Sequence, residues 1–148
     1  MKTITMKPLY VLDACALIAV IAEEKGQDVV KDLLQKGIDR EIDIVMHKVN
    51  LIEVYYYLYR TRGEQAAIEL LADAEKMAIK IDAEVTDDIL MAAGRLKVVY
   101  KTSLGDSIGL AESIVQGGCF VTADRHELGT VVEKENLNVL WFRKREIK

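Results

Sequence analysis

Proline occurs once in this chain of 148 residues, cysteine and histidine twice each, and tryptophan once. With one proline and no low-complexity stretch, nothing in the composition marks a linker. Cys15 and Cys119 lie far apart inside apolar runs, and no CxxC pair is present. A disulfide-stapled secreted fold is therefore not expected, and both thiols read as buried groups in a reducing, cytoplasmic environment. His47 and His126 lack zinc-type spacing with each other or with the cysteines, which discounts a zinc site. No apolar run reaches the ~20 residues of a membrane span, so the chain reads as soluble. Lys2 and Lys7 before the apolar run 9–22 faintly imitate a secretion signal. Asp13 interrupts that run, and Glu23 and Glu24 follow without a small-residue cleavage site, so none is expected.

What is present is apolar and acidic. Hydrophobic residues make up 51% of the chain, enough for a real core in one domain spanning 1–148. The formal net charge of −4 argues against a general nucleic-acid coat protein. It does not exclude a phosphate substrate if the acidity is gathered at a cation site.

Short apolar runs alternate with helix-like segments. Strands are expected over 8–13 (PLYVLD), 42–46, 78–82, 119–122 and 138–142. Helices are expected over 14–24, 27–36, 50–62, 64–77, from the N-cap Thr86 to about residue 99, over 106–116 and over 125–135. Residues 100–105 read as a loop, and the tail 143–148 as a solvated basic end. The pattern predicts an α/β fold, a three-layer α/β/α sandwich around a mostly parallel five-stranded sheet.

Four acids occupy informative places on that pattern: Asp13, Glu53, Asp106 and Asp124. Two directly follow strands and two sit at or near helix starts. In open α/β sheets such positions border the crevice beyond the carboxyl ends of the strands. Taken singly, each has an ordinary explanation as a helix cap or a residue favouring the helix dipole. Together they form a carboxylate cluster without neighbouring bases, which a hard divalent cation relieves. Oxygen ligands with neither His nor Cys favour Mg²⁺ or Mn²⁺. Such a cage lowers the pKa of a bound water and polarises a phosphate, the chemistry of a metal-dependent hydrolase.

The strings VLDACALIA (11–19), NLIEVYY (50–56), SLGDSIGLA (103–111) and FVTADRHEL (120–128) resemble those of the PIN-domain nucleases. Among these, the chain is most similar to the short VapC toxins of bacterial and archaeal toxin–antitoxin pairs. The resemblance implies a PIN-like fold and a Mg²⁺- or Mn²⁺-dependent endoribonuclease leaving 5′-phosphate and 3′-hydroxyl ends. It implies metal ligation by Asp13, Asp106 and Asp124, and by Glu53 directly or through water. Asn50 and Thr122 match supporting polar positions. Ser107 and Glu127 are extra candidates outside the quartet, and the departure from the family's pattern at His126-Glu127-Leu128 leaves the role of Glu127 open. A homodimer and a small antitoxin partner are further implications.

Basic residues that could rim an acidic pocket for RNA are Lys48, Arg60, Arg62, Lys97, Lys101 and Arg125, with Arg125 adjacent to the site. Tyr55, Tyr56, Tyr57 and Tyr59 cannot all face the core at 3.6 residues per turn, so about half should reach the surface as a dimer or partner face. Two other functional classes are open to the same sequence. One is an aspartate phosphoacceptor using Asp13, although Ala14-Cys15 offers it no adjacent carboxylate or hydroxyl. The other is an inactive PIN-like scaffold that binds partners only.

Overall fold

A computed structural model describes residues 6–145. Lys2 and the last three residues of the basic tail lie outside the described residues. Five strands appear: β1 (Leu9–Leu12), β2 (Asp43–His47), β3 (Ile79–Asp82), β4 (Cys119–Thr122) and β5 (Val139–Trp141). The helices are α1 (Ala14–Ile21), α2 (Gln27–Ile38), α3 (Lys48–Arg62), α4 (Glu64–Lys76), α5 (Asp87–Tyr100), α6 (Leu104–Gln116) and α7 (Arg125–Glu135). The sheet order is β3-β2-β1-β4-β5, and every pairing is parallel.

Parallel strands covered on both faces must be apolar on both, and β1 shows this in adjacent residues. Leu12 packs into one core with Leu17, Val30, Met46 and Val54, from α1, α2, β2 and α3. Val11 packs into another with Leu96, Leu110, Phe120 and Leu128, from α5, α6, β4 and α7. The three-layer α/β architecture read from the sequence is thus present. Gly109 lets α6 lie close to β4, because a Cβ there would stand 3.0 Å from the Phe120 ring.

Two helix starts differ from expectation, and caps explain both. α3 begins at Lys48, because the His47 side chain accepts a hydrogen bond from the Val49 backbone N–H at 3.1 Å. α6 begins at Leu104, because Ser103 Oγ accepts from the Asp106 N–H at 3.2 Å. Asp106 is therefore inside the first turn of α6, and Glu53 lies in the second turn of α3 rather than its first. The loop expected over 100–105 shrinks accordingly. α1 is shorter than expected, ending at Ile21, and α2 runs on to Ile38.

The strand order reverses around β1, which has β2 on one side and β4 on the other. Asp13 follows β1 and Asp124 follows β4 by two residues, so the switch point places both acids at one edge of the sheet. Among the described residues, no helix is long and apolar enough to cross a membrane.

Candidate active site

Asp13 is the innermost acid of the crevice. It is buried, caps α1 through Oδ1 on the Ala14 N–H at 2.8 Å, and accepts from Thr122 Oγ1 on Oδ2 at 2.7 Å. Thr122 Oγ1 in turn accepts from the Asp124 N–H at 3.3 Å, so one hydroxyl ties the ends of β1 and β4 together. Cys15 Sγ lies 3.5 Å from both Asp13 Oδ2 and Thr122 Oγ1. Burial raises the Asp13 carboxyl above its ordinary range, against the hydrogen bonds from Thr122, Cys15 and Ala14. Burial and the charge of Asp13 push the Cys15 thiol up to about 12, which makes it an inert donor. Cys15 and Cys119 are each half-buried and unpaired rather than fully enclosed.

Asp106, Asp124 and Glu127 form the tightest group, each offering a carboxylate oxygen within 4.8 Å of the others. Asp106 is 8% exposed. Burial, the charge of Asp13 and contact with Glu127 push its pKa up to about 8. Asp124 caps α7, its Oδ1 accepting from the Glu127 N–H at 3.1 Å. Glu127 then reaches across to the start of α6, where Oε1 accepts from the Ser103 N–H at 3.0 Å. The carboxylate of Glu127 therefore belongs to the crevice, which its departure from the family strings did not suggest. The readable signal was its place three residues after an aspartate cap, the spacing at which a side chain folds back over a helix start.

Glu53 comes from α3 and is exposed as a residue, yet its carboxyl is raised by partial burial first and then by the negative charge of Asp13 and Glu127. Its Oε1 occupies the space over Gly105, where any Cβ would overlap it. Asn50, one turn earlier, is buried and donates from Nδ2 to the Gly105 carbonyl at 2.9 Å. Asn50 thus fastens α3 to the start of α6. Ser107 is also fully buried but bonds to Thr102 Oγ1 and the Ser103 carbonyl, which makes it part of the α6 start and not of the crevice.

All four acids named from the sequence therefore meet at one edge, joined by Glu127. Among the described residues no Lys or Arg forms an ion pair with any of the five. Carboxylates this close without a counter-charge fit a divalent cation, and all-oxygen donors suit Mg²⁺ or Mn²⁺. Asp13, with both oxygens occupied and only 3% exposure, is poorly placed as a phosphoacceptor nucleophile.

The basic rim is thinner than the sequence suggests. Lys97 bonds the Thr102 carbonyl and Arg62 the Ile21 carbonyl, while Arg60 lies over the Tyr56 ring. Arg125 stacks on Trp141 with its guanidinium 4.7 Å from the ring centre and donates to the Arg143 carbonyl. Of the four tyrosines, Tyr55 and Tyr57 pack against the core while Tyr56 and Tyr59 are exposed.

The PIN-domain family profile matches residues 10–131. No curated protein sequence is significantly similar to the chain. Among solved structures, the VapBC2 complex of Rickettsia felis bound to a promoter DNA fragment aligns with a TM-score of 0.69 at 16% identity, covering 89% of this chain and 97% of that one. A toxin–antitoxin complex from Klebsiella pneumoniae aligns at 0.67 and 17%, covering 92% and 99%. VapC20 of Mycobacterium tuberculosis, a sarcin–ricin-loop-cleaving toxin, aligns at 0.61 and 18%, covering 75% and 86%. At such identities the likeness is one of fold. The matched region runs from β1 into α7 and contains every acid of the crevice, and the chain belongs to the PIN-domain family.

Proposed function

We propose that this protein is a divalent-metal-dependent endoribonuclease, the toxin of a toxin–antitoxin pair, with residues 1–148 forming one nuclease domain. The observation that carries the reading is the set of five unpaired carboxylates, Asp13, Glu53, Asp106, Asp124 and Glu127, around the switch point of the sheet. In this reading Asp13, Asp106 and Asp124 hold Mg²⁺ or Mn²⁺, and Glu53 does so directly or through water. When bound, the cation supplies charge neutralisation and polarises the scissile phosphate and a water.

The chain's own groups do the rest. Thr122 holds Asp13 in place, and Asn50 keeps α3, and with it Glu53, against the start of α6. Glu127 is held by the Ser103 N–H and stays ionised, its pKa lowered by that bond. Arg125, beside Asp124 and braced on Trp141, is the cation best placed to meet a substrate phosphate. RNA as substrate is supported by the fold shared with a relative described as cleaving the sarcin–ricin loop. The antitoxin partner is supported by the two toxin–antitoxin complexes of the same fold. Exposed Tyr56 and Tyr59 on α3 are suited to a homodimer or antitoxin contact.

Purified protein incubated with a pool of tRNA, ribosomal RNA and single-stranded RNA should cut in Mg²⁺ or Mn²⁺ and stop in EDTA. Cutting that survives EDTA would sink the metal-dependent reading.

Gly105→Ala tests the position of Glu53. A Cβ there displaces only the end of a flexible side chain, and Ala in place of Gly favours a helix by about 0.5–1 kcal/mol. The variant should therefore melt no lower than wild type while cleaving roughly tenfold or more slowly, since misplacing a catalytic group by about 1 Å is costly. Full activity in Gly105→Ala would remove Glu53 from the mechanism.

A further inference from the structure

Beside the crevice, the end of β5 and one face of α7 enclose a pocket that the five carboxylates do not line. Trp141 ends β5 in register with Thr122, the residue that holds Asp13. The two strand ends are therefore one strand spacing, about 4.8 Å, apart. Arg125 and Trp141 form one wall of the pocket, Gly129 and Glu133 line it along α7, and Arg145 closes it from the chain beyond β5. Its volume of about 420 Å³ is that of a small-ligand pocket, ~300–1,000 Å³.

The lining combines free cations with an aromatic surface. The Trp141 ring fixes the Arg125 guanidinium at 4.7 Å, and among the described residues no ion pair engages Arg125 or Arg145. Positions 125, 129 and 133 fall every fourth residue, on one face of α7. Gly129 is open, since a Cβ there would meet nothing within 4 Å. Its missing side chain leaves the room between Arg125 and Glu133, which lies about 12 Å farther along the helix. Nucleobases stack on aromatic rings and on guanidinium planes, while arginines nearby meet the phosphates. An acidic peptide would use the two charges and leave the ring idle.

We propose that this pocket receives the nucleotide next to the cut phosphate, with its base against Arg125 and Trp141 and its phosphate toward Arg145. The pocket's role rests on the ribonuclease reading above and adds the path of the strand across the protein. A strand whose scissile phosphate lies among Asp13, Asp106 and Asp124 reaches the pocket by passing Arg125, the residue next to Asp124. Stacking is open to every base, so the pocket positions the strand and tolerates its sequence. Gly129 keeps the base's place clear. A larger side chain there fills that place while the crevice acids stay as they are.

Trp141 is the chain's single tryptophan, so its fluorescence reports on the pocket directly. Full-length Asp106→Asn protein, which should not cut, is titrated in Mg²⁺ with random-sequence single-stranded RNA decamers and, separately, with polyglutamate. The RNA should quench Trp141 saturably, and polyglutamate should not. Gly129→Leu added to this protein should weaken RNA binding at least about fivefold, the low end for losing one base stack. Leucine is the better helix former, so the melting midpoint by circular dichroism should be no lower. With Asp106 restored, Gly129→Leu should raise KM for the RNA that wild type cuts by a similar factor and keep kcat, the pattern of lost uniform binding. Unchanged KM, or no response of Trp141 to RNA in a protein whose wild type cuts, would overturn the pocket and leave the nuclease standing. Equal quenching by polyglutamate would assign the pocket to an acidic protein and overturn it too. RNA quenching that Gly129→Leu abolishes, without any cutting by wild type, would support the pocket while sinking the ribonuclease reading.

Discussion

Asp106→Asn and Asp124→Asn should each slow RNA cleavage by at least about 100-fold while leaving the fold intact. Even groups that only support a metal ligand cost about 10–100-fold when lost, and a ligand itself should cost no less. The substitutions are close to isosteric. The Asp106 backbone N–H donates to the Ser103 cap and is kept in the variant, so the α6 start survives. Asp124 caps α7 through Oδ1, and asparagine caps helices about as well as aspartate. Circular dichroism melts beside cleavage assays separate the two effects. Wild-type cleavage by a folded Asp106→Asn protein would show that the site has been misassigned. Loss of cleavage with loss of Mn²⁺ binding would distinguish the nuclease from a scaffold of the same fold.

The metal-free protein should lose stability as pH rises from about 5 to about 8, a dependence that Mg²⁺ or Mn²⁺ reverses. Asp106 has a folded pKa of about 8, above the ~3.9 of an unfolded aspartate, and Asp13 and Glu53 are raised as well. Between those values the folded chain binds more protons than the unfolded one, so stability falls with increasing pH. The sign is opposite to that of a salt-bridged carboxylate. The physical cause is burial together with the mutual repulsion of Asp13, Asp106 and Glu127. A cation removes the repulsion and binds better as the proton leaves, so its stabilising effect should grow toward pH 8. Melting curves in EDTA at pH 5, 6, 7 and 8, with and without Mn²⁺, provide the check. A stability that climbs with pH in EDTA would mean the acids do not meet as the structure has them.

Much of this was legible without coordinates. The strings around Asp13, Glu53, Asp106 and Asp124 carried the family resemblance, and their positions after strands or near helix starts indicated one crevice. The helix boundaries were less legible, for a local reason. His47 and Ser103 each cap through a side chain bonded to a backbone N–H two or three residues ahead. Histidine is not among the preferred capping residues, and Ser103 was read into a loop. Those caps moved Asp106 and Glu53 deeper into their helices without moving them off the crevice.

Other parts of the site were harder to read from the sequence. Glu127 looked like a departure from the family's pattern, yet its carboxylate bonds Ser103 from across the crevice. Gly105 matters because Glu53 from another helix lies over it, and Cys15 because Thr122 is its neighbour across 107 positions.

By itself the sequence determined the alternation of strands and helices, the two-sided sheet and the acids at the strand ends, because periodicity and strand-end position are local properties of the chain. The tertiary structure alone decided which acids share charge, which glycine makes room, and which histidine caps rather than ligates in the crevice. Those depend on side-chain direction and on how helices dock across the sheet, which no local pattern encodes.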